Sequence, residues 1–283
     1  LKQHITSLQL NQCIIDSANQ MQMQRSQSED YVLVNVERGL LGVFDSVGGR
    51  DRNLLVSHLA GITTSSALEA LSEADRQVAP AQIETLLQTL IRLADTKIAS
   101  LVLPPEHKRP ATTTALGILS VRNSQAFLSL AHIGDSRIYL LRNGHPLQRL
   151  TEDHGYFSFA MQQGLLSRED SWRIEQARSA QDLSSRDKEH FDKRNKITCA
   201  VGWSDFSSIP TRSLALLPGD RVLFCTDGVH DNLADQEIEE ALSASTECSA
   251  QNLVSAAYHR SQQPDFRAKP DDISAIHVLY QPH

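Results

Sequence analysis

The sequence predicts an α+β fold in which mainly antiparallel sheets are covered by helices, and three observations predict it. Strand-like and helix-like segments come in blocks and not in strict alternation. Between Ala111 and Leu150 the strand-like segments are joined by connections far shorter than the roughly dozen residues a parallel crossover needs. No long proline, serine or glycine tract interrupts the 283 residues, so one domain is expected, preceded by a loose leader or edge strand over residues 1–24.

Hydrophobic residues make up 40% of the chain and charged residues 22%, the balance of a sequence that buries its own core. A formal charge of -7 repels phosphates, which excludes nucleic acid and anionic membrane as the main partners. Cys13, Cys199, Cys225 and Cys248 are widely spaced with no C-x-x-C pair, so free thiols in a reducing compartment are expected. No apolar run approaches the ~18 residues of a membrane span, and the first twenty residues lack a signal peptide's apolar centre. A cytoplasmic, monomeric protein is the expectation. The chain opens on Leu1 and not on methionine, which is compatible with a longer protein carrying a further domain.

In order, R-S-Q-S-E-D (25–30) leads into the β-branched run Y-V-L-V-N-V, a strand. The stretch L-L-G-V-F-D-S-V-G-G (40–49) reads as a buried strand ending at Asp45 in a small-residue turn. Apolar residues then recur at helical spacing from Leu54 to Leu71, and again after Pro80 from Ile83 to Ile98. From Ala111 three strands follow, separated by R-N-S-Q and by the tight G-D-S, and Asn143-Gly144 marks a hairpin; together they read as an antiparallel meander. Residues 155–196 are dense in mixed charge, a charged flap or insertion that reads equally as solvated structure or as a mobile surface facing substrate. L-A-L-L-P-G-D-R-V-L-F-C reads as two strands joined by a Pro-Gly turn. Helical periodicity returns over 235–242 and 251–260, and D-D-I-S-A-I-H-V-L-Y closes the chain as a central strand.

Asp45, Asp227 and Asp271 or Asp272 each stand at the edge of an apolar strand, and Asp135 lies in a tight turn. One such aspartate is ordinarily a turn residue bonding its own backbone. Several together are costly to bury without a cation, and carboxylates with carbonyl and water are the ligands that hard divalent ions prefer. The sequence holds no H-E-x-x-H, no C-x-x-C and no G-x-x-x-x-G-K-[ST], which disfavours zinc proteases and nucleotide P-loops. A two-ion Mg²⁺ or Mn²⁺ site fits best, the ions sharing a water that becomes nucleophilic at neutral pH.

These segments, in order, resemble the metal-dependent protein phosphatases (PPM, type 2C serine/threonine phosphatases). The likeness runs from Arg25 to Tyr280 through R-S-Q-S-E-D, G-V-F-D-S-V-G-G, A-T-T-T-A, I-G-D-S-R-I-Y-L-L-R-N-G, L-T-E-D-H, I-T-C-A-V-G, L-F-C-T-D-G-V-H-D and D-D-I-S-A-I-H-V. It implies a four-layer α/β/β/α sandwich over residues 25–283 with a binuclear centre at one edge. It also implies that Asp45 bridges two Mn²⁺ or Mg²⁺ ions, with the Ser46 backbone carbonyl on one and Asp227 and Asp271 on the other. Asp30 and Glu29 would contact the ions directly or through water, Asp135 would support a third ion, and Arg25 would clamp the phosphate, its planar fork giving two charge-assisted bonds. The implied activity is hydrolysis of phosphoserine and phosphothreonine in phosphoproteins by direct attack of a metal-bridging hydroxide on phosphorus. The alternative is an inactive or weakly active regulatory module that binds phosphopeptides. The stretch 168–194, longer and more charged than the family's usual connection, is expected to contact the substrate protein or a partner.

Three departures bear on chemistry. Ser46 and Ala111 stand where the family usually has glycine, and a Cβ at position 46 costs about 1 kcal/mol if φ is positive. Val47 stands where some branches carry a histidine that protonates the leaving alkoxide. Without that acid, the sequence predicts slower turnover of phosphoserine than of aryl phosphates, whose leaving groups need no proton. Steady-state rates on the two at matched binding check this, and equal rates contradict it.

Overall fold

The computed structural model describes residues 8–10, 13–23, 26–47, 56–70, 79–102, 109–122, 124–204, 206–244 and 249–282. Arg25, the Gly48-Gly49 pair and Cys248 lie outside them.

Eleven strands form two sheets among these residues. In chain order they are β1 (Leu8–Leu10), β2 (Cys13–Gln20), β3 (Asp30–Asn35), β4 (Leu40–Val47), β5 (Ala111–Arg122) and β6 (Gln125–Ile133), then β7 (Arg137–Leu141), β8 (Gln148–Arg149), β9 (Thr211–Ala215), β10 (Arg221–Cys225) and β11 (Ile273–Tyr280). One sheet has the order β1-β2-β11-β10-β7-β8, the other β3-β4-β5-β6-β9. Every pairing is antiparallel.

Side-chain alternation explains why the sheets stack. Along β4, Leu41 and Val43 enter the layer between the sheets, while Leu40 and Phe44 face the other way. Along β10, Val222 and Phe224 enter the same layer, while Leu223 and Cys225 face out. Gly117 of β5 belongs to this inner layer, where a Cβ would sit 2.6 Å from the Phe224 ring, so the close approach of the sheets at that point requires glycine. The outer face of the five-stranded sheet is covered by α1 (Val56–Glu69) and α2 (Pro80–Ala99), which bring Leu87, Leu90, Ile91 and Ile98 onto Leu40, Phe44 and Leu116. Pro80 opens α2 in the first turn, where its missing N–H costs nothing.

On the other side lie helices that follow three further ones in the chain. Residues 156–191 carry α3 (Tyr156–Gln162), α4 (Arg168–Glu175) and α5 (Ser185–Phe191); then come α6 (Asp227–His230), α7 (Asp235–Ala244) and α8 (Ser249–Ser261). Ile238, Leu242, Leu253 and Val254 of α7 and α8 pack on Leu223, Cys225 and Ala275. The α+β, four-layer sandwich is therefore the architecture of the chain.

Three local expectations are corrected. The expected edge strand is β1, whereas Cys13–Gln20 is neither leader nor edge, because β2 pairs with β11 on one side and β1 on the other. Its polar appearance arises from Asp16, whose Oδ1 pairs with buried His277 Nδ1 at 2.7 Å and whose Oδ2 accepts the Ala250 N–H at 2.7 Å. The stretch from Ala111 is no single meander. Its first two strands, β5 and β6, pair in one sheet, Gly134-Asp135-Ser136 carries the chain across to the other, and there β7 and β8 form the hairpin expected at Asn143-Gly144. The Pro-Gly turn joins two strands as expected, β9 of one sheet and β10 of the other. Finally, β4 runs on through Ser46 to Val47 instead of stopping at Asp45.

The charged insertion is an ordered helical lobe. Ile174, Ala177, Leu183 and Phe191 form its own apolar cluster, with Phe266 stacked on Phe191 at 4.4 Å between ring centroids. Beneath it, buried Arg137 of β7 holds Asp153 through Nε at 3.0 Å and also bonds Glu175 of α4. Buried Arg267 donates to the carbonyls of Glu175 and Ala177 at 2.7 and 2.9 Å, and to that of His230 at 2.8 Å. The lobe is thus tied to the sheet by guanidinium groups that no mixed-charge average reveals. Among the described residues no helix is long and apolar enough to cross a membrane.

Candidate active site

Asp30 and Asp45 are direct partners across β3 and β4. By alternation both fall on the inner face, Asp45 two residues beyond Val43 and Asp30 two before Val32, so the apolar layer between the sheets ends in two carboxylates. Two other strands end at the same rim. Asp135 lies in the crossing between β6 and β7, and Asp227 begins α6 just after β10. Gly228 lets α6 approach β11 closely, since a Cβ there would stand 2.1 Å from the Asp272 carbonyl oxygen.

The electrostatics show that these groups share one region. Burial, then the charge of Asp227 and of Asp30, pushes the Asp45 carboxyl well above the usual range. Burial and Asp272 do the same for Asp30, and burial and Asp227 for Asp135. Asp227 is pushed up to about 6 by burial, against the lowering effect of Lys269. Asp231, four residues after Asp227, is held below the usual carboxylate range because Lys269 and Arg194 outweigh its burial.

Asp271 and Asp272, not separated by spacing alone, do different work. Asp272 is buried and accepts the backbone N–H groups of Gln22 at 2.6 Å and Glu29 at 2.5 Å, fixing the segment ahead of β3. Asp271 Oδ2 lies 3.3 Å from Lys269 Nζ, which also stands 2.5 Å from Asp227 Oδ2 and 2.7 Å from Asp231 Oδ2. Ser46 does not adopt a positive φ, so its Cβ carries no strain. Its hydroxyl instead accepts the Ser57 N–H at 3.1 Å, and its N–H donates to the Glu29 carbonyl at 3.2 Å, a carbonyl that also receives the Ser57 hydroxyl at 2.6 Å. Serine at this position therefore stitches β4, α1 and the Glu29 segment together.

Sequence reasoning assigned no role to Lys269, Asp231 or Asp153. The four-residue step from Asp227 to Asp231 in D-G-V-H-D was a legible signal for Asp231, and K-P-D-D one for Lys269. The histidines nearby serve the backbone: His230 Nε2 bonds the Asp135 carbonyl at 3.0 Å, and burial pushes its pKa down to about 3. His154 Nδ1 accepts the Gly134 N–H at 3.1 Å.

No group of three or more His, Cys, Asp or Glu side chains among the described residues is gathered to hold a metal ion as the atoms stand. The donor chemistry nonetheless fits a hard divalent cation. Asp30 Oδ1 and Asp227 Oδ1 are buried carboxylate oxygens with no hydrogen-bond partner, and each sits beside further carboxylates, a state that an added cation relieves.

A raised carboxyl pKa means that the folded chain holds a proton the unfolded chain has already lost. Stability from that group is then lost as pH rises through the folded value. Removing the charge of Asp45 should therefore stabilise the chelator-treated protein, and more at about pH 7.5 than at about pH 5. Melting temperatures of Asp45→Asn and the unsubstituted protein at both pH values check this. A margin that is equal, or larger at the lower pH, contradicts it.

Comparison with known proteins accords with this arrangement. The family model for protein phosphatase 2C matches residues 9–158, and the model for Stage II sporulation protein E matches residues 183–280. The serine/threonine phosphatase Stp of Listeria monocytogenes is 27% identical over 205 residues, covering 71% of this chain and 70% of the relative. The serine/threonine protein phosphatase PstP of Mycobacterium tuberculosis is 28% identical over 219 residues, covering 77% of this chain but only 36% of that longer protein. The solved catalytic domain of PstP, in complex with two manganese ions, superimposes with a TM-score of 0.69 at 22% identity, covering 94% of this chain and 97% of that one. With the protein phosphatase 2C model spanning more than half the chain and the two-sheet sandwich in place, this protein belongs to the protein phosphatase 2C family.

Proposed function

We propose that this protein phosphatase removes phosphate from phosphoserine and phosphothreonine in proteins, using Mn²⁺ or Mg²⁺ at the rim between its two sheets. The observation that carries this reading is the concentration of buried and half-buried, mutually repelling carboxylates there, two of whose oxygens have no hydrogen-bond partner. Asp45 would bridge two ions, with the Ser46 carbonyl, Asp227 and Asp271 as further ligands, Asp30 and Glu29 near or through water, and Asp135 toward a third ion. Bound there, divalent cations would supply positive charge to a phosphate dianion and acidify a water for attack on phosphorus.

The chain's own residues contribute position and charge. Asp45 is partly exposed, so the carboxylate set opens to solvent at the point where a phosphoprotein would approach. Asp272 and Ser57 hold the Glu29 segment against β4 and β11, which fixes Asp30 opposite Asp45. Lys269 opposes the upward push of burial on the Asp227 carboxyl, which favours the anionic form that a metal ligand needs. Arg25, five residues before Asp30, would clamp the phosphate. The buried free thiols of Cys13 and Cys225 suit a reducing, cytoplasmic setting for a monomeric enzyme.

Hydrolysis of an aryl phosphate by the chelator-treated protein should depend on added Mn²⁺, and Asp45→Ala or Asp227→Ala should lower kcat/KM by at least about a hundredfold. Metal-independent turnover, or unchanged activity in both variants, contradicts the reading.

The lobe at 168–194 is the proposed docking surface for the substrate protein. Trp172 is 60% exposed and the Arg168 side chain 81%, on a helix anchored at its C-terminal end by the bond of Glu175 to Arg137 of β7. Because deletion would break the Arg137 and Arg267 contacts, surface substitution is the cleaner test. The pair Trp172→Ala with Arg168→Glu should reduce turnover of a phosphoprotein while leaving that of an aryl phosphate unchanged. Equal loss on both, or no loss on either, contradicts the docking role.

A further inference from the structure

Lys269 is the feature that the family reading does not absorb. Its ammonium lies 2.5 Å from Asp227, 2.7 Å from Asp231 and 3.3 Å from Asp271, so two of the residues assigned to metal share their charge with a cation that the chain itself supplies. The placement is built in. Fully buried Asn232 accepts the Lys269 backbone N–H at 2.9 Å through Oδ1 and donates to its carbonyl at 3.0 Å through Nδ2, while the same Nδ2 donates to the Gly228 carbonyl at 2.9 Å. Lysine backbone, α6 and Asp227 are therefore held as one unit. Only 18% of the lysine side chain is exposed. Arg194 adds a second cation near Asp231 at 3.5 Å.

Compensation is uneven across the rim. Asp30 Oδ1 has no hydrogen-bond partner and its Oδ2 accepts from the neutral Thr226 hydroxyl at 2.9 Å, whereas Asp227 and Asp231 each face the ammonium directly. A lysine and a divalent ion both seek the same carboxylate oxygens, and two cations at one set repel at close range.

We propose that Lys269 is a tethered cation that competes with divalent metal for Asp227 and Asp271, so that metal enters this end of the site only by displacing the ammonium. The proposal rests on the metal reading given above. It makes the Asp30–Asp45 end the first to load and the Asp227–Asp271 end the weaker one, and it assigns to a residue outside the carboxylate set the control of how many ions the protein holds at a given concentration.

Calorimetric titration of the chelator-treated protein with MnCl₂ tests it. Lys269→Met, which keeps the length of the side chain without its charge, should gain an additional Mn²⁺ equivalent or bind its weaker equivalent at least about tenfold more tightly. Lys269→Arg, which keeps the charge, should bind like the unsubstituted protein. In the absence of metal Lys269→Met should melt lower than the unsubstituted protein, and added Mn²⁺ should close the gap. If methionine prevents folding, Lys269→Gln takes its place, with the same expectation. Equal stoichiometry and affinity in the charge-neutral variant and the unsubstituted protein, both binding Mn²⁺, overturn the proposal alone. Absence of Mn²⁺ binding in both overturns it together with the metal reading beneath it.

Discussion

Mutual repulsion among carboxylates at the rim of an apolar layer is the constraint on which the rest of this structure turns. The layer between the sheets is built from Leu41, Val43, Val222, Phe224, Ile276 and their neighbours, and it excludes water from one side of the rim. At its end the same alternation that buries Val43 must place Asp45, and the same register sets Asp30 directly across from it. Like charges opposite one another in an antiparallel pair are destabilising, and burial makes them more so. A fold retains such an arrangement where a cation offsets it, and the surrounding contacts consist largely of devices that hold the carboxylates in place.

Those devices explain residues that otherwise look incidental. Asp272 spends both oxygens on backbone N–H groups of the segment ahead of β3. Thr226 donates its hydroxyl to Asp30 and accepts the Ser274 N–H, so β10, β11 and β3 meet at one side chain. Thr113 and Ser136 share a hydrogen bond at 2.8 Å between the two sheets, just beside Asp135. On the far side, Arg137 gathers Asp153 and Glu175, and the guanidinium charges keep the Asp153 carboxyl well below its usual range despite its burial. The site is thus bounded by carboxylates of two kinds: those paired with arginine, which hold the helical lobe, and those facing one another, which are the ligands proposed for added cations and include the partners of Lys269.

Much of this was legible in the chain. The strands around Asp45, Asp227 and Asp271 announce themselves because each is an apolar run bounded at one end by a carboxylate, and a resemblance spread over several ordered segments places them in one fold. Sheet membership was not legible. A tight turn such as G-D-S looks the same whether it closes a hairpin or carries the chain to the opposite sheet, and only long-range pairing decides. The strand at Cys13–Gln20 was obscured because its outward face carries Asp16, whose partners His277 and Ala250 lie more than two hundred residues away in sequence. Lys269 was missed for a related reason: a lysine near two aspartates is ordinarily a solvated surface group, and nothing local to it shows that Asn232 fixes its backbone against α6. The strain anticipated at Ser46 was absent because β4 continues past Asp45 and keeps the residue extended.

On the reading proposed above, the carboxylates of Asp30, Asp45, Asp227 and Asp271 form a site for divalent cations, with Lys269 offsetting only the Asp227–Asp271 end. Anomalous diffraction at the manganese edge from crystals soaked in MnCl₂ tests it most directly. An anomalous peak is expected within bonding distance of the Asp45 carboxylate, about 2.0–2.3 Å from its oxygens for a hard cation of this class. A peak elsewhere in the molecule, with ordered Asp45 and Asp227 side chains and none between them, would contradict it.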